Sequence, residues 1–338
     1  MMTKAPIHSL SLLKLIAVFG ILGCHTSLID VFDACGRMVE ILFLASGFLM
    51  AYNHYDDKKI PTGWQIVKSK LPRFYPIHLI CFLLQWLFVA TWAMKPLYFF
   101  LSVGILNLTL QQAWFVRTEF SYNNVSWFLS ALVFCYVMTP SIKRFIKSAE
   151  EQKFGLLKAF LAIVIVRFYC EYLSANAEKY VTFDMHCNPF VQMLNYAQGY
   201  ITAVAFMQKN KFTQLLKEIP TWQLTAFQVM IVTLYMLCCY RLPDMERAFF
   251  VLIALPVFYI LALDRGIIRN IGALKPISWL ASMTLEIFMF HSFILYKLPV
   301  EKENPMSYVV FFAVTMAVSI SYHMAYQYII KGIKKVQA

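Results

Sequence analysis

The sequence predicts an all-α fold, a polytopic membrane helix bundle, and three observations carry that prediction. The 338 residues are 60% hydrophobic and only 14% charged, with a mean hydropathy of +0.61. Water-soluble domains carry about 25% charge and about 45–50% apolar residues, so a chain of this kind cannot hide its apolar surface in one water-facing globule. Apolar runs of near membrane-crossing length recur from end to end, and the basic residues between them gather in alternate connections.

The runs cover 9–29, 36–55, 72–94, 97–112, 125–142, 154–173, 189–207, 222–240, 247–263, 277–296 and 305–330. A helix crossing about 30 Å of hydrocarbon needs about 20 residues. The first run follows only Lys4 and has no small-x-small cleavage site, so it reads as a retained first span, not a signal peptide. The fourth, LYFFLSVGILNLTLQQ, is short and holds Gly104, Asn107 and Thr109. The sixth carries Arg167 and Glu171 at i,i+4 spacing, which reads as a local ion pair. Tryptophans near run ends (Trp64, Trp92, Trp114, Trp127 and Trp222) fit an interfacial belt.

Loop charge sets the orientation. Connections 56–73, 141–153, 208–221 and 264–276 and the tail 331–338 hold 18 of the 30 Lys and Arg. The positive-inside rule places these in the cytoplasm. That assignment is self-consistent only if 97–112 does not cross. The expectation is therefore ten transmembrane helices, one re-entrant or interfacial segment at 97–112, and both termini cytoplasmic, with 1–338 forming a single domain. Irregular backbone at membrane depth needs protein or a wet cavity around it. The net charge of +12 is thus an orientation signal facing anionic lipid and implies no nucleic-acid partner. The eight cysteines lie mostly inside apolar runs and lack metal-ligand spacing, so no metal is expected. Cys35 and Cys187 are the two placed to reach an outer face, and a disulfide between them is left open.

The first run raises the functional question. Lys14 and His25 interrupt LKLIAVFGILGCHTS, and a charged group at such depth costs roughly 3 kcal/mol. Eleven residues at about 100° each return to within about 20° of the same face, about 16 Å along the axis. Either residue alone has an ordinary explanation, a snorkelling lysine or a packed histidine. Two on one face argue for a polar pathway.

At these residues the chain resembles the acyltransferase family 3 membrane enzymes, whose first helix carries a basic residue, ten residues, then histidine. GRMVEILFLASGFLM (36–50) is similar to that family's second-helix pattern, with Glu40, Ser46, Gly47 and Phe48 at the matching places. KSKLPRFYP (68–76) resembles its basic segment through Lys70, Arg73, Tyr75 and Pro76. SWFLSALVFCYVMTP (126–140) and SWLASMTLEIFMFH (278–291) resemble two later segments, the last ending at His291. The chain departs from the family at Leu132, where many members have glutamate, and at Lys70, where the family has arginine. Lys keeps the charge but loses the bidentate fork.

The resemblance implies an integral-membrane O-acyltransferase of a bacterial inner membrane. It would move an acyl group, usually acetyl, from cytoplasmic acyl-coenzyme A to a hydroxyl of a lipid-linked or surface glycan, with no permanently bound cofactor. On this reading Lys14, Lys68, Lys70 and Arg73 hold the donor's phosphates. His25 is the general base. Glu40 orients it or, alternatively, pairs with Arg73. Ser46, Ser130 and His291 contact acceptor or acyl group, or else simply pack and hydrogen-bond inside the bundle. A second class remains open, a transporter or exporter of a polar solute or glycan, because a proton-coupled carrier also buries lysine, histidine and acid.

Overall fold

The computed structural model describes residues 5–28, 34–175, 186–208, 211–241 and 247–337, and among these every regular element is helical. The chain begins with α1 (His8–His25), α2 (Ala34–His54) and α3 (Gly63–Phe88). A short apolar helix follows, α4 (Leu97–Leu108). Next come α5 (Trp127–Glu150), α6 (Gly155–Ala175), α7 (Pro189–Met207), α8 (Lys211–Glu218), α9 (Thr221–Arg241) and α10 (Arg247–Leu261). The last four are α11 (Gly266–Ala273), α12 (Lys275–Ser282), α13 (Thr284–Lys297) and α14 (Pro305–Gln337).

Five of these are long and apolar enough to cross a bilayer: α1, α3, α5, α9 and α14. Two bent pairs bring the number to seven if each is one span. One pair joins α10 to α11 at 78°, the other α12 to α13 at 62°. The run 277–296, expected to be one helix, is therefore broken at Met283. The expected spans 36–55, 154–173 and 189–207 are helices of 21, 21 and 19 residues. The apolar helices make this an integral membrane protein.

The centre of the bundle is α2 against α7. The α7 helix is buried on nearly every face, and its polar residues Gln192, Asn195 and Thr202 are hydrogen-bonded inside the bundle. Glycine sets how closely the two backbones approach. A Cβ on Gly47 would sit 1.9 Å from Tyr196 O, and one on Gly199 would sit 2.1 Å from Leu44 O. Small residues permit such approach between membrane helices.

The charge that α2 and α6 carry inward is satisfied there. Arg167, fully buried, donates to Glu171 at 2.9 Å, to Glu40 at 3.2 Å and to Asn195 at 3.1 Å. The local Arg167–Glu171 pair expected from spacing is present, with Glu40 added from another helix.

The α4 helix has twelve residues, about 18 Å, which is too short to cross about 30 Å of hydrocarbon. It contains a π-helical stretch at Phe100–Gly104 and leads into an irregular segment up to 126. Side chains from other helices satisfy this backbone. His78 donates to Asn107 O at 2.9 Å, Tyr75 to Leu108 O at 3.0 Å, and Asn123 to Met289 O at 3.2 Å. These bonds meet the condition for irregular backbone at membrane depth. On the opposite side of the bundle, Lys143 donates to the carbonyls of His54 and Asp57 at the end of α2, which closes orphan acceptors of a helix C-terminus.

Candidate active site

The α1 helix sends Lys14 and His25 into two different cavities, not one seam. Lys14 borders a cavity of about 370 Å³ that also takes Ser46, Lys70 and Arg73. His25 borders a cavity of about 540 Å³ with Gln85, Trp92, Tyr122, Asn124 and Ser292. The helices α1, α3 and α13 contribute to both, one end of each to each cavity.

The basic cavity gathers three of the four cations that the sequence singled out for a donor. Lys14 and Lys70 have no carboxylate partner among the described residues. Arg73 is differently occupied. It makes a bidentate pair with Glu286, 2.7 and 2.8 Å, and also donates to Ser282 O at 3.0 Å. Ser282 ends α12, so Arg73 closes a carbonyl released where the span breaks. His323 of α14 meets the same Glu286 oxygen at 2.8 Å. The alternative pairing of Arg73 with Glu40 is thereby corrected, since Glu40 goes to Arg167 and Arg73 to an acid 213 residues away. Lys68 is exposed, lies 5.5 Å from the Trp64 ring and is outside the cavity lining. Ser46 borders the cavity, with its hydroxyl donating to Leu42 O at 2.7 Å. Leu132 also borders it, so the cavity is apolar at that place.

The histidine cavity has no lysine, arginine or carboxylate in its lining, which mixes aromatic and apolar side chains with Gln85, Thr91, Asn124 and Ser292. His25 Nδ1 lies 2.7 Å from His291 Nε2, and the rings stack at 5.0 Å. His291 Nδ1 is 2.6 Å from Phe288 O. A carbonyl only accepts, so His291 carries its proton on Nδ1 and accepts at Nε2. His25 must then donate from Nδ1, which leaves its Nε2 as an unprotonated acceptor. The partner that orients His25 is thus His291, not Glu40, and His291 is fully buried behind it.

Ser130 stands apart from both cavities. It is buried, and its hydroxyl accepts the Ala113 N–H at 3.4 Å, which anchors the irregular segment. That segment supplies Tyr122 and Asn124 to the histidine cavity. Tyr122 has φ 55°, a left-handed conformation that side chains seldom adopt and that concentrates near functional sites. Its ring stacks on Trp92 at 5.0 Å. Of the tryptophans assigned to the interfacial belt, Trp92 borders the cavity and Trp127 is buried beside His186. Cys187 is buried, and the side chain of Cys35 lies outside the described residues.

Residues 7–324 match the sequence model of the family described as acyltransferase domain. The chain belongs to the acyltransferase-3 family. It is also similar to acyltransferase MdmB of Streptomyces mycarofaciens, 25% identical over 222 residues, which is 58% of this chain and 56% of that protein. The chain therefore spans a little over half the length of this curated relative. No solved structure matches it. The matched range takes in every residue of both cavities named above. Sequence reasoning missed the Gln85–Trp92–Tyr122 wall of the histidine cavity and the contact of His323 with Glu286. His323 had a detectable signal, a histidine inside an apolar run. The wall had none, because an irregular segment has no period to read.

Proposed function

We propose that this protein is an O-acyltransferase that moves an acyl group, acetyl by preference, from acyl-coenzyme A to a hydroxyl of a glycan or lipid-linked sugar. The observation that carries this reading is the His25–His291 pair, with a free imidazole nitrogen presented to an uncharged polar cavity. A basic cavity backs onto it along the same helices. Lys14 and Lys70 hold the donor's phosphates as point charges, and Arg73 lends part of its field while it stays on Glu286. The positive-inside rule puts this end in the cytoplasm, in the ten-span orientation with both termini inside. A bacterial inner membrane is the setting the family suggests.

The chemistry follows from the tautomer. The acceptor hydroxyl donates its proton to His25 Nε2 as its oxygen attacks the thioester carbon. The C–O bond forms, the C–S bond breaks, and the proton passes from His25 to the departing thiolate. His291 accepts from His25 Nδ1 throughout and so steadies the imidazolium, the role a third group plays for a catalytic histidine. Gln85, Asn124 and Ser292 supply neutral hydrogen-bonding groups for a polyol, and Trp92 and Tyr122 supply ring faces.

The test uses inverted membrane vesicles given acetyl-labelled coenzyme A. Label should enter a glycan or lipid-linked fraction with the unaltered protein and not with His25→Ala. Undiminished transfer by that variant overturns the assignment of the base. Solute uptake that needs no acyl donor would instead establish the carrier reading.

A further inference from the structure

The two cavities are separated by a layer of side chains that narrows to about one helical turn along α13 and widens to about 10 Å along α1, between Val18 and His25. On α13, Phe288 borders the basic cavity and Ser292 the histidine cavity. These are four residues apart, about 6 Å along the axis. Beside it, Phe128 in the first turn of α5 borders the basic cavity, and Asn124 of the irregular segment just before α5 borders the other. The two phenylalanines meet in this layer. Their rings are 5.3 Å apart at 65°, Phe43 backs Phe128 at 4.7 Å, and Phe288 lies 5.8 Å from the His291 ring. Both are buried, at 6% and 3% exposure. Phe288 also supplies the carbonyl that fixes the His291 tautomer. One residue thus floors the basic cavity and sets the histidine pair.

Resting on the acyl-transfer reading above, we propose that Phe128 and Phe288 form the crossing point for the donor's acyl end and set the largest acyl group transferred. A donor whose phosphates sit on Lys14 and Lys70 is about 16 Å short of His25, and only its thin thiol-bearing arm has to traverse the layer. The thioester must pass between the two rings to reach an acceptor oxygen at His25. Once the C–S bond has broken and the thiol has withdrawn, the rings close and keep water of the histidine cavity from the next thioester. A two-carbon acyl group passes with a small displacement of Phe288, and each added methylene needs more. A methylene in an apolar constriction changes discrimination by roughly 10–200-fold. The rings therefore act as specificity-determining residues, with neither touching a transferred proton.

The experiment uses the full-length protein in lipid nanodiscs, with acetyl- and butyryl-coenzyme A as donors and water as acceptor. Binding is read by thermal shift and turnover by thiol release. Phe288→Ala and Phe128→Ala should release thiol faster, with the butyryl-to-acetyl ratio raised roughly tenfold or more. Phe288→Leu and Phe128→Leu, which keep most of the packing, should move in the same direction. Adding His25→Ala to Phe288→Ala should abolish the gained release. Phe288→Trp should still bind donor and lose turnover. Leucine variants with the unaltered rate and chain-length ratio overturn the crossing point, as does a Phe288→Trp protein that turns over normally. An unaltered protein that binds no acyl-coenzyme A overturns the acyl-transfer reading itself, and with it this one.

Discussion

The two cavities are built from the same helices yet are chemically opposite. The basic one holds Lys14, Lys70 and Arg73, while the other presents amide, hydroxyl and aromatic groups around one imidazole. The cost of charge in a membrane explains the division. A lysine at a helix end keeps its ammonium in reach of water and headgroups, so cations collect where α1 and α3 begin. Deeper in, a formal charge survives only when paired, as Arg167 is by Glu40 and Glu171. The lysines without a carboxylate partner among the described residues stay at one end; neutral polar groups line the other.

The comparison breaks most sharply at His25. Replacing it with alanine should lower transfer by roughly 10²–10⁴-fold, the usual worth of a general base, with donor affinity unchanged. Donor affinity is read by thermal shift. A fall in donor affinity matching the fall in rate would mean the two cavities are one site. The third polar region, the Arg167 cluster, should behave like neither. Arg167→Ala leaves two buried carboxylates without their cation, a loss of about 3–5 kcal/mol, visible as a lower melting temperature and poor insertion. A well-folded, inactive Arg167→Ala protein would move this cluster into the catalytic machinery.

Smaller effects sharpen the division. Lys14→Ala and Lys70→Ala should each weaken donor binding by roughly tenfold, from about 1.5 kcal/mol for one charge-assisted contact. Lys14→Arg should restore part of it, and neither alanine variant should alter acceptor KM. Lys68→Ala should change donor affinity by less than about 0.5 kcal/mol, because exposed side chains away from a site contribute little. A tenfold loss there would show that the donor reaches past the cavity to the exposed start of α3.

Much of this site was readable from the order of residues. Lys14-x10-His25 placed two polar groups on one helical face, and the structure finds a cavity at each. Lys70 and Arg73 reached the basic cavity as expected. What failed were the pairings. Glu40 was set beside His25 or Arg73 and pairs with Arg167, while His291 lies against His25 at 2.7 Å. Ser130 lies outside both cavity linings and accepts the Ala113 N–H of the irregular segment. Lys68 shares its helix with Lys70 but not its cavity, since two residues on a helix are about 200° apart.

Composition, hydropathy and loop charge fix what one dimension can carry: an integral helical bundle, an apolar segment at 97–112 shorter than its neighbours, and a costly Lys–His pair on the first helix. Each of those depends on neighbours along the chain and on the solvent they must face. Partner choice depends on neighbours in space. His25 meets a histidine 266 residues away, and Arg73 an acid 213 residues away. Only packing decided those encounters, the break at Met283, and the phenylalanine layer that divides one expected seam into two cavities.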